Sequence, residues 1–432
     1  MVSNITKNPT TGIWTLVATV TDESTKVTTS SIESFAFVII CTGLFSNTPN
    51  MIQIPGADEF VKQGHGKIIH TSQWQDNEEF LNQNVIIIGN GKSAADAAIA
   101  AAKMAHLSNS DTGSTTNVTT KKTKIIQPPL QCIRKQNWYV PRAILKYKFV
   151  FHSRFVSKFL PRYYEETTNI SYLLHLIFTP VKYMLWRLLE VIFILLLRLP
   201  YKVWPKFGTI DNENSLSVPL LVTDERHLSR IRNGDIDLRI TNVTQLYGTK
   251  HAKLSDGEIV PVDIVVMGTG WKLDYSFFDS VTVKSKLDID GDGLWLYRNI
   301  LPSHLTGIAF IGANTLTFMN IYTSYVQAYW LVHLITGQRA PLSSEAMDRC
   351  VQREKVFKRK HYPNCPIRGA SIEAYMQHYH DIIFQEQGIN PYIYKGILAP
   401  VYNFFWPILP ETVAHSFDIV RSNLCHKNKK KE

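Results

Sequence analysis

A short turn with two glycines has the residue types and spacing of a phosphate-binding segment. It lies between the apolar run NVIII and the alanine-rich segment AADAAIAAAKMAH. Its six residues are Gly89, Asn90, Gly91, Lys92, Ser93 and Ala94. Gly89 permits a tight turn, Gly91 lets the backbone approach a pyrophosphate, and Ala94 permits close packing of a helix on a strand. Because the first N–H groups of a helix can meet negative charge, the segment predicts a dinucleotide-binding turn. An unrelated turn of a parallel sheet is the alternative.

The next strand-like segment, LQCIRK, ends in two basic residues, Arg134 and Lys135. Turns of this kind that bind NADH are followed about 20 residues later by an acidic residue for the ribose. No acidic residue stands there once the polar loop at 108–120 is discounted. A basic pair suits the 2′-phosphate of NADPH, since a guanidinium can bind phosphate through two parallel hydrogen bonds. The pair therefore favours NADPH, with a solvated basic pair as the alternative.

Apolar runs that end in glycine recur along the chain and indicate buried strands. They are FAFVIICTG at 35–43, DIVVMGTG at 263–270 and AFIGA at 309–313. Continuous apolar runs are typical of parallel strands that are covered on both faces. Before the first run, two alternating segments at 13–21 and 25–34 predict a meander. With helix-like segments after the last run, the sequence predicts an α/β fold.

Size and composition exclude several classes of protein. The 432 residues suffice for two or three domains at about 150 residues each. None of the five cysteines forms a Cys-x-x-Cys pair, which favours a reducing compartment and argues against a dithiol reductase. The formal charge of +10 comes without an interleaved aromatic and basic motif. Nucleic-acid binding is therefore not expected.

The most apolar segment, 172–200, raises the question of membrane contact. A spanning helix needs about 20 mostly uncharged residues, but this segment is interrupted by Pro180, Lys182, Arg187, Glu190 and Arg198. We expect a buried or interfacial helical pair within an insertion at about 150–205, and peripheral or monotopic membrane contact is the alternative. The sequence KKKE at 429–432 fits a dilysine retrieval signal. Attachment to the cytoplasmic side of the endoplasmic-reticulum membrane is therefore a hypothesis.

An acidic cluster is similar to the start of a calcium-binding loop. It consists of Asp288, Asp290 and Asp292, followed by Gly293. An EF-hand loop also needs a bidentate Glu at its twelfth position, and this sequence has Asn299 there. We therefore interpret the cluster as a turn and expect no metal site.

Six motifs occur in a fixed order along the chain. They are CTG at 41–43, GxGxSA at 89–94, IRKxxWxxPR at 133–142, GTGW at 268–271, LYRNILP at 296–302 and AFIGA at 309–313. This ordered set resembles the flavin-containing monooxygenases, the family that also includes Baeyer–Villiger and N-hydroxylating enzymes. The resemblance covers most of the chain apart from 150–205 and the far carboxyl end. It implies two interleaved, Rossmann-like dinucleotide-binding domains.

The resemblance also implies the cofactors and the activity. In the family, NADPH reduces FAD, and the reduced flavin uses O₂ to oxygenate a small organic substrate. The flavin carries this chemistry, whereas the protein positions it and shields it from water, so no catalytic triad is expected. By resemblance, 1–50 and 263–432 form a partial FAD-binding domain and 51–262 form the NADPH-binding domain. Gly43, Gly270 and Gly312 are expected on the FAD and NADP side of the site.

The family's fingerprint motif is matched in part. Gly66, His70 and Trp74 match it, and Gly64 stands where the family has Phe. Trp74 agrees with the Baeyer–Villiger version of the motif and Gln75 does not, so N- or S-oxygenation and Baeyer–Villiger oxidation both stay open. By resemblance, His70 and Trp74 lie on the loop that joins the two domains. A structural histidine and a proton donor are the two alternatives for His70.

One departure from the family bears on FAD binding. The family opens with its own strand, Gly-x-Gly-x-x-Gly turn and helix for FAD, and this sequence contains no counterpart of that segment. We therefore expect either a fragment or a protein that binds FAD weakly. A catalytically inactive NADP(H)-binding fragment with a structural or regulatory role is the alternative function. A flavin disulfide reductase is disfavoured because the redox dithiol is absent.

Overall fold

The computed structural model describes most of the chain, with gaps. The described residues are 2–21, 24–44, 48–62, 66–110, 125–141, 153–154, 169–205, 220–248, 250–316, 320–340, 342–362, 365, 367–373 and 375–406. The strands are β1 (Val2–Lys7), β2 (Trp14–Thr21), β3 (Thr28–Phe35), β4 (Val38–Ile40), β5 (Lys67–His70), β6 (Val85–Ile88), β7 (Leu130–Ile133), β8 (Trp138–Pro141), β9 (Leu220–Thr223), β10 (Asp237–Ile240), β11 (Val243–Tyr247), β12 (His251–Leu254), β13 (Ile259–Pro261), β14 (Ile264–Met267), β15 (Ile289–Asp290), β16 (Gly293–Leu294), β17 (Ile308–Phe310), β18 (Thr315–Leu316) and β19 (Ser371–Glu373). The helices are α1 (Ala57–Lys62), α2 (Lys92–Ser110), α3 (Asn169–Leu197), α4 (Glu225–Asn233), α5 (Asn320–Ile335), α6 (Ser344–His361), α7 (Met376–Glu386) and α8 (Ala399–Phe405).

A five-stranded parallel sheet lies at the centre of the middle part of the chain. Its spatial order is β10-β7-β6-β14-β5. Successive residues of β6 face opposite sides, as the two-residue period of a strand requires. Val85 and Ile87 pack with the alanines of α2, whereas Ile86 packs against the antiparallel β11–β13 meander. Both faces are covered, which explains why the central strands β6 and β14 are apolar without a break.

A second part of the fold is built from the beginning and the end of the described chain. The antiparallel β1–β2–β3 meander lies here, and β4 pairs in parallel with β17. Helices α5, α6 and α7 surround a separate core that contains Trp295 and Trp330. The chain thus leaves this part, forms the five-stranded sheet and returns. The prediction of an α/β fold with two interleaved parts is confirmed.

The boundary between the two parts differs from the predicted one by a strand. The prediction assigned 263–432 to the flavin domain, but β14 lies inside the five-stranded sheet, where it pairs with β5 and β6. Its backbone hydrogen bonds therefore hold it with the strands of 51–262. The remaining division, with 1–50 on the flavin side, stays a prediction.

The apolar segment forms one helix, α3, rather than the predicted helical pair. Pro180 lies inside this helix, because one proline removes a single intrahelical hydrogen bond without ending so long a helix. Trp186 and Phe193 are buried, but Leu176, Met184 and other apolar side chains are exposed. Among the helices that the structure describes, none is both long and apolar enough to cross a membrane. Membrane-surface contact through 172–200 and an endoplasmic-reticulum location stay predictions.

The acidic cluster is a β-hairpin turn between β15 and β16, as predicted. Lys355 lies 2.6 Å from Asp288 and 3.1 Å from Asp290. Arg359 binds Asp292, and this contact lowers the pKa of Asp292 to about 2. The carboxylates are thus neutralised by cations from α6.

Candidate dinucleotide-binding site

The predicted turn connects β6 to α2 at the carboxyl edge of the five-stranded sheet. Gly89 has a φ of 142°, and a Cβ atom at this position would lie 2.2 Å from the carbonyl oxygen of Gly268. A Cβ atom at Gly268 would in turn lie 2.6 Å from the Cβ of Ala94. The ends of β6 and β14 and the start of α2 therefore touch at three small residues. This contact explains why the motif needs Gly at its first position and a small residue at its last.

Gly91 and the start of α2 form the open side of the turn. A Cβ atom at Gly91 would meet no atom within 4 Å in the part of the chain that the structure describes. Lys92 and Ser93, the first residues of α2, are exposed, and the first turn of the helix has no acidic residue. The first N–H groups of a helix have no intrahelical acceptor. The backbone here can therefore receive a pyrophosphate.

The basic pair lies at the same edge of the sheet. Arg134 and Lys135 follow β7, which is the neighbour of β6, and Arg134 is exposed. Asn90 Nδ2 donates a hydrogen bond to the Lys135 carbonyl oxygen over 2.9 Å, which ties the turn to the basic pair. The structure thus brings the residues predicted for NADPH together. That they bind it stays a prediction.

Three buried polar side chains beneath the turn were missed by the sequence analysis. Gln131 Nε2 donates to the Gly89 carbonyl over 3.0 Å, and His227 Nε2 lies 2.8 Å from Gln131 Oε1. Tyr139 donates through its hydroxyl to Asn90 Oδ1 over 2.7 Å. Burial lowers the pKa of His227 to about 4, so the imidazole is neutral at physiological pH. A lone glutamine within the apolar strand β7 was the only sequence signal for this network.

The fingerprint residues Gly66 and Trp74 have packing roles. A Cβ atom at Gly66 would lie 2.1 Å from the ring of Phe60, which is fully buried. Trp74 packs on Phe80 with their ring centroids 5.6 Å apart, and it lines a surface cavity of about 650 Å³ between α2 and α4. Trp74 therefore faces the helical layer. Gly64, the mismatched position of the motif, lies outside the described residues.

His70 points in a different direction from Trp74. It is 1% exposed, and its ring meets that of Trp271 edge to face at 5.1 Å. Its Nδ1 accepts a hydrogen bond from the Ser72 N–H over 3.2 Å. Burial lowers the pKa of His70, and a hydrogen bond with the Gly270 backbone offsets part of this shift. The burial of the ring and its packing on Trp271 fit the structural alternative, and the choice between the two alternatives stays a prediction.

Two segments that connect the parts of the fold run side by side next to His70. Pro49 forms an antiparallel bridge with Trp271, and the Asn50 N–H donates to the Gly270 carbonyl over 2.9 Å. Gly270 has a φ of 77° here. The structure therefore places Gly270 and His70 together at the connecting segments.

Gly43 and Gly312 form a separate edge at the ends of β4 and β17. A Cβ atom at Gly43 would lie 3.9 Å from the Gly312 carbonyl oxygen, which is ordinary contact. Both glycines have positive φ, 69° and 72°. The Gly312 N–H donates to Gln327 Oε1 over 3.0 Å. The three glycines predicted for the FAD and NADP side thus lie at two places, with Gly270 apart from the other two.

The fold and the turn define a dinucleotide-binding α/β protein, and comparisons with known proteins specify the family. Residues 14–137 match the family described as pyridine nucleotide-disulphide oxidoreductase, and residues 201–413 match the family described as flavin-binding monooxygenase-like. The second of these matches shows that the chain is similar to the flavin-containing monooxygenases over nearly half of its length.

Individual relatives are distant. The probable flavin-containing monooxygenase 1 of Arabidopsis thaliana is 22% identical over 86% of this chain, and the flavin-containing monooxygenase 1 of Rattus norvegicus is 24% identical over 82%. The chain spans 67% and 57% of the lengths of these relatives. The NADP⁺-bound cyclohexanone monooxygenase of Rhodococcus sp. Phi1 has a similar fold, with a TM-score of 0.56 and 13% identity over 90% of this chain and 78% of that one.

Proposed function

We propose that this chain takes part in an FAD- and NADPH-dependent monooxygenase reaction, in which one atom of O₂ is inserted into a small organic substrate. The observation that carries the proposal is the contact among Gly89, Gly268 and Ala94. This contact closes the inner side of the turn and leaves Gly91 and the start of α2 open to a pyrophosphate. Similarity to the flavin-containing monooxygenases supports the flavin-dependent step.

The residues at the turn fit NADPH. The N–H groups of Gly91 and of the first turn of α2 would bind the pyrophosphate, and Arg134 and Lys135 would bind the 2′-phosphate. FAD, when bound, supplies the electron transfer and oxygen activation that side chains cannot perform. The edge at Gly43 and Gly312 offers backbone groups with little side-chain bulk for it to approach. N- or S-oxygenation and Baeyer–Villiger oxidation are both compatible with these residues.

The visible spectrum of the purified chain, with and without added FAD, tests the proposal. Flavin bands that survive desalting, together with NADPH oxidation, are the expected result. A colourless protein that still binds NADPH would support the alternative, an inactive NADP(H)-binding fragment. A protein that binds neither cofactor would contradict both hypotheses.

The preference for NADPH can be tested at the basic pair. Replacing Arg134 and Lys135 by Ala removes two charge-assisted contacts to the 2′-phosphate and should weaken NADP⁺ binding about tenfold or more. NAD⁺ affinity should stay unchanged, since NAD⁺ lacks that phosphate. Isothermal titration calorimetry measures both. Lys103→Ala is the matched control, because Lys103 is an exposed cation on α2 that lines the cavity beside Trp74.

A further inference from the structure

Three fully buried side chains lie beneath the candidate dinucleotide-binding turn without a part in the function proposed above. They are Gln131 in the middle of β7, Tyr139 in β8 and His227 near the start of α4. We infer that these are positioning residues, which fix the direction in which the backbone N–H groups of the turn point. This inference rests on the proposed NADPH site.

Gln131 sets the orientation of one peptide group in the turn. Its Nε2 donates to the Gly89 carbonyl, so this oxygen is held toward the sheet. In a trans peptide the carbonyl and the N–H of the next residue point in opposite directions, and the described chain has no cis peptide. The N–H of Asn90 is therefore directed outward, to the side on which a pyrophosphate would lie.

His227 holds the other end of the Gln131 carboxamide. The Gln131 nitrogen faces the Gly89 carbonyl, so its Oε1 is the atom that faces His227 Nε2 at 2.8 Å. His227 therefore carries its proton on Nε2 and donates it. A flipped carboxamide would place two donors together and two oxygens together, which is unfavourable at a buried site. The Gly89 carbonyl, which can only accept, thus sets the orientation of Gln131, and His227 stabilises that orientation by donating to Oε1.

Tyr139 and Asn90 connect the turn to the basic pair. The Tyr139 hydroxyl donates to Asn90 Oδ1, and Asn90 Nδ2 donates to the Lys135 carbonyl. The rings of Tyr139 and His227 meet edge to face at 5.8 Å. The two arms of the network therefore share a contact, and they fix the pyrophosphate-facing backbone relative to the segment that carries Arg134 and Lys135.

A matched pair of variants at His227 separates positioning from packing. His227→Gln keeps a nitrogen donor near the position of Nε2, whereas His227→Met has similar length and no donor. We expect His227→Met to weaken NADP⁺ binding about tenfold, the effect of losing one oriented hydrogen bond to a phosphate. His227→Gln should restore most of the affinity. Calorimetric titration of the full chain with NADP⁺ measures this difference.

A double variant tests whether stability alone explains the result. In Gln131→Met/His227→Met the contact between the two side chains becomes apolar on both sides, so part of the stability lost in His227→Met should return, although the Gly89 carbonyl loses its donor. The affinity for NADP⁺ should stay low, because the Gly89 carbonyl has no side-chain donor in the double variant. Asn84→Ala is the control: Asn84 is buried and bonded to Asp263 at the opposite end of β6. This control should lower the melting temperature and leave NADP⁺ affinity unchanged.

The outcomes distinguish the inference from the proposed function. If the wild-type chain does not bind NADP⁺, the proposed NADPH site is wrong and the inference fails with it. If the wild type binds NADP⁺ and His227→Met binds it equally well, only the inference is overturned. Recovery of both stability and affinity in the double variant would also overturn it, since the network would then serve folding alone.

Discussion

Glycines lie where parallel strands end at two edges of the described structure. A buried glutamine contacts the backbone at each edge, as a hydrogen-bond donor at one and as an acceptor at the other. At the β6–α2 turn, Gln131 donates to the Gly89 carbonyl, which directs the next N–H outward. At the end of β17, Gln327 accepts from the Gly312 N–H, so the carbonyl of the preceding residue points the other way. The first edge is therefore suited to an anion, whereas the second is suited to a hydrogen-bond donor.

The glycines at the two edges are also required for different reasons. At Gly89 a side chain would collide with the backbone of Gly268. At Gly43 the described residues leave enough space for a Cβ atom, and the positive φ is the feature that favours glycine. A glycine motif therefore does not show by itself whether a steric clash or a positive φ excludes other residues. Substitutions can separate the two causes.

Gly89→Ala is expected to have the largest effect. The new Cβ would lie 2.2 Å from a carbonyl oxygen of another strand, at a φ of 142°. We expect a loss of about 4 kcal/mol in the free energy of unfolding, together with loss of NADP⁺ binding. Urea denaturation measures the first quantity. Gly312→Ala is the counterpart at the second edge, where the one atom of the described residues that the Cβ would meet within 4 Å is the Ser324 hydroxyl oxygen at 3.1 Å. An equal loss in the free energy of unfolding in both variants would contradict the difference between the two edges.

Acid sensitivity should be concentrated at the first edge, because His227 is buried there in its neutral form. Its folded-state pKa of about 4 lies below the ordinary value of 6.5. Between these values the unfolded chain takes up a proton that the folded chain does not, so stability is lost as the pH falls from 6.5 to 4. The expected loss is about 3 kcal/mol.

The measurement is the difference between wild type and His227→Gln in denaturation experiments at pH 7 and pH 4. His227→Gln has no titratable group at this position, so it should lose about 3 kcal/mol less than wild type over the same interval. The remaining titratable groups change the stability of both proteins equally, so their contributions cancel in the difference. Parallel pH profiles for the two proteins would show that His227 is not the cause.

Gln327→Met tests the buried glutamine at the second edge, as Gln131→Met/His227→Met tests the one at the first. Gln327 is fully buried and also donates to Asn314 and Tyr379 over 2.8 and 2.9 Å. Its loss leaves polar groups without partners, and we expect about 2 kcal/mol of destabilisation. NADP⁺ affinity should not change, whereas flavin retention should fall. A fall in NADP⁺ affinity instead would mean that the two edges are coupled.

Sequence patterns predicted the first edge better than the rest because its structure is local. The strand, turn and helix from Val85 to Ser110 are contiguous, and the roles of Gly91 and Ala94 follow from their position in this unit. The contacts that support the turn were not predictable, since Gly268, which touches Gly89, and His227, which bonds to Gln131, come from distant parts of the chain. The helical pair predicted for 172–200 was wrong because the helix continues through Pro180 instead of ending there.

Gly91→Ala should have the smallest effect on stability and therefore isolates the proposed phosphate contact. The Cβ would meet nothing within 4 Å among the described residues, and Gly91 has no positive φ, so the loss of stability should stay below about 1 kcal/mol. NADP⁺ affinity should still fall about tenfold, because the methyl group occupies the space through which a pyrophosphate approaches the helix. Calorimetry with NADP⁺ and a parallel melting curve measure both. Unchanged affinity would mean that the pyrophosphate does not approach at Gly91, even if the rest of the turn binds the nucleotide.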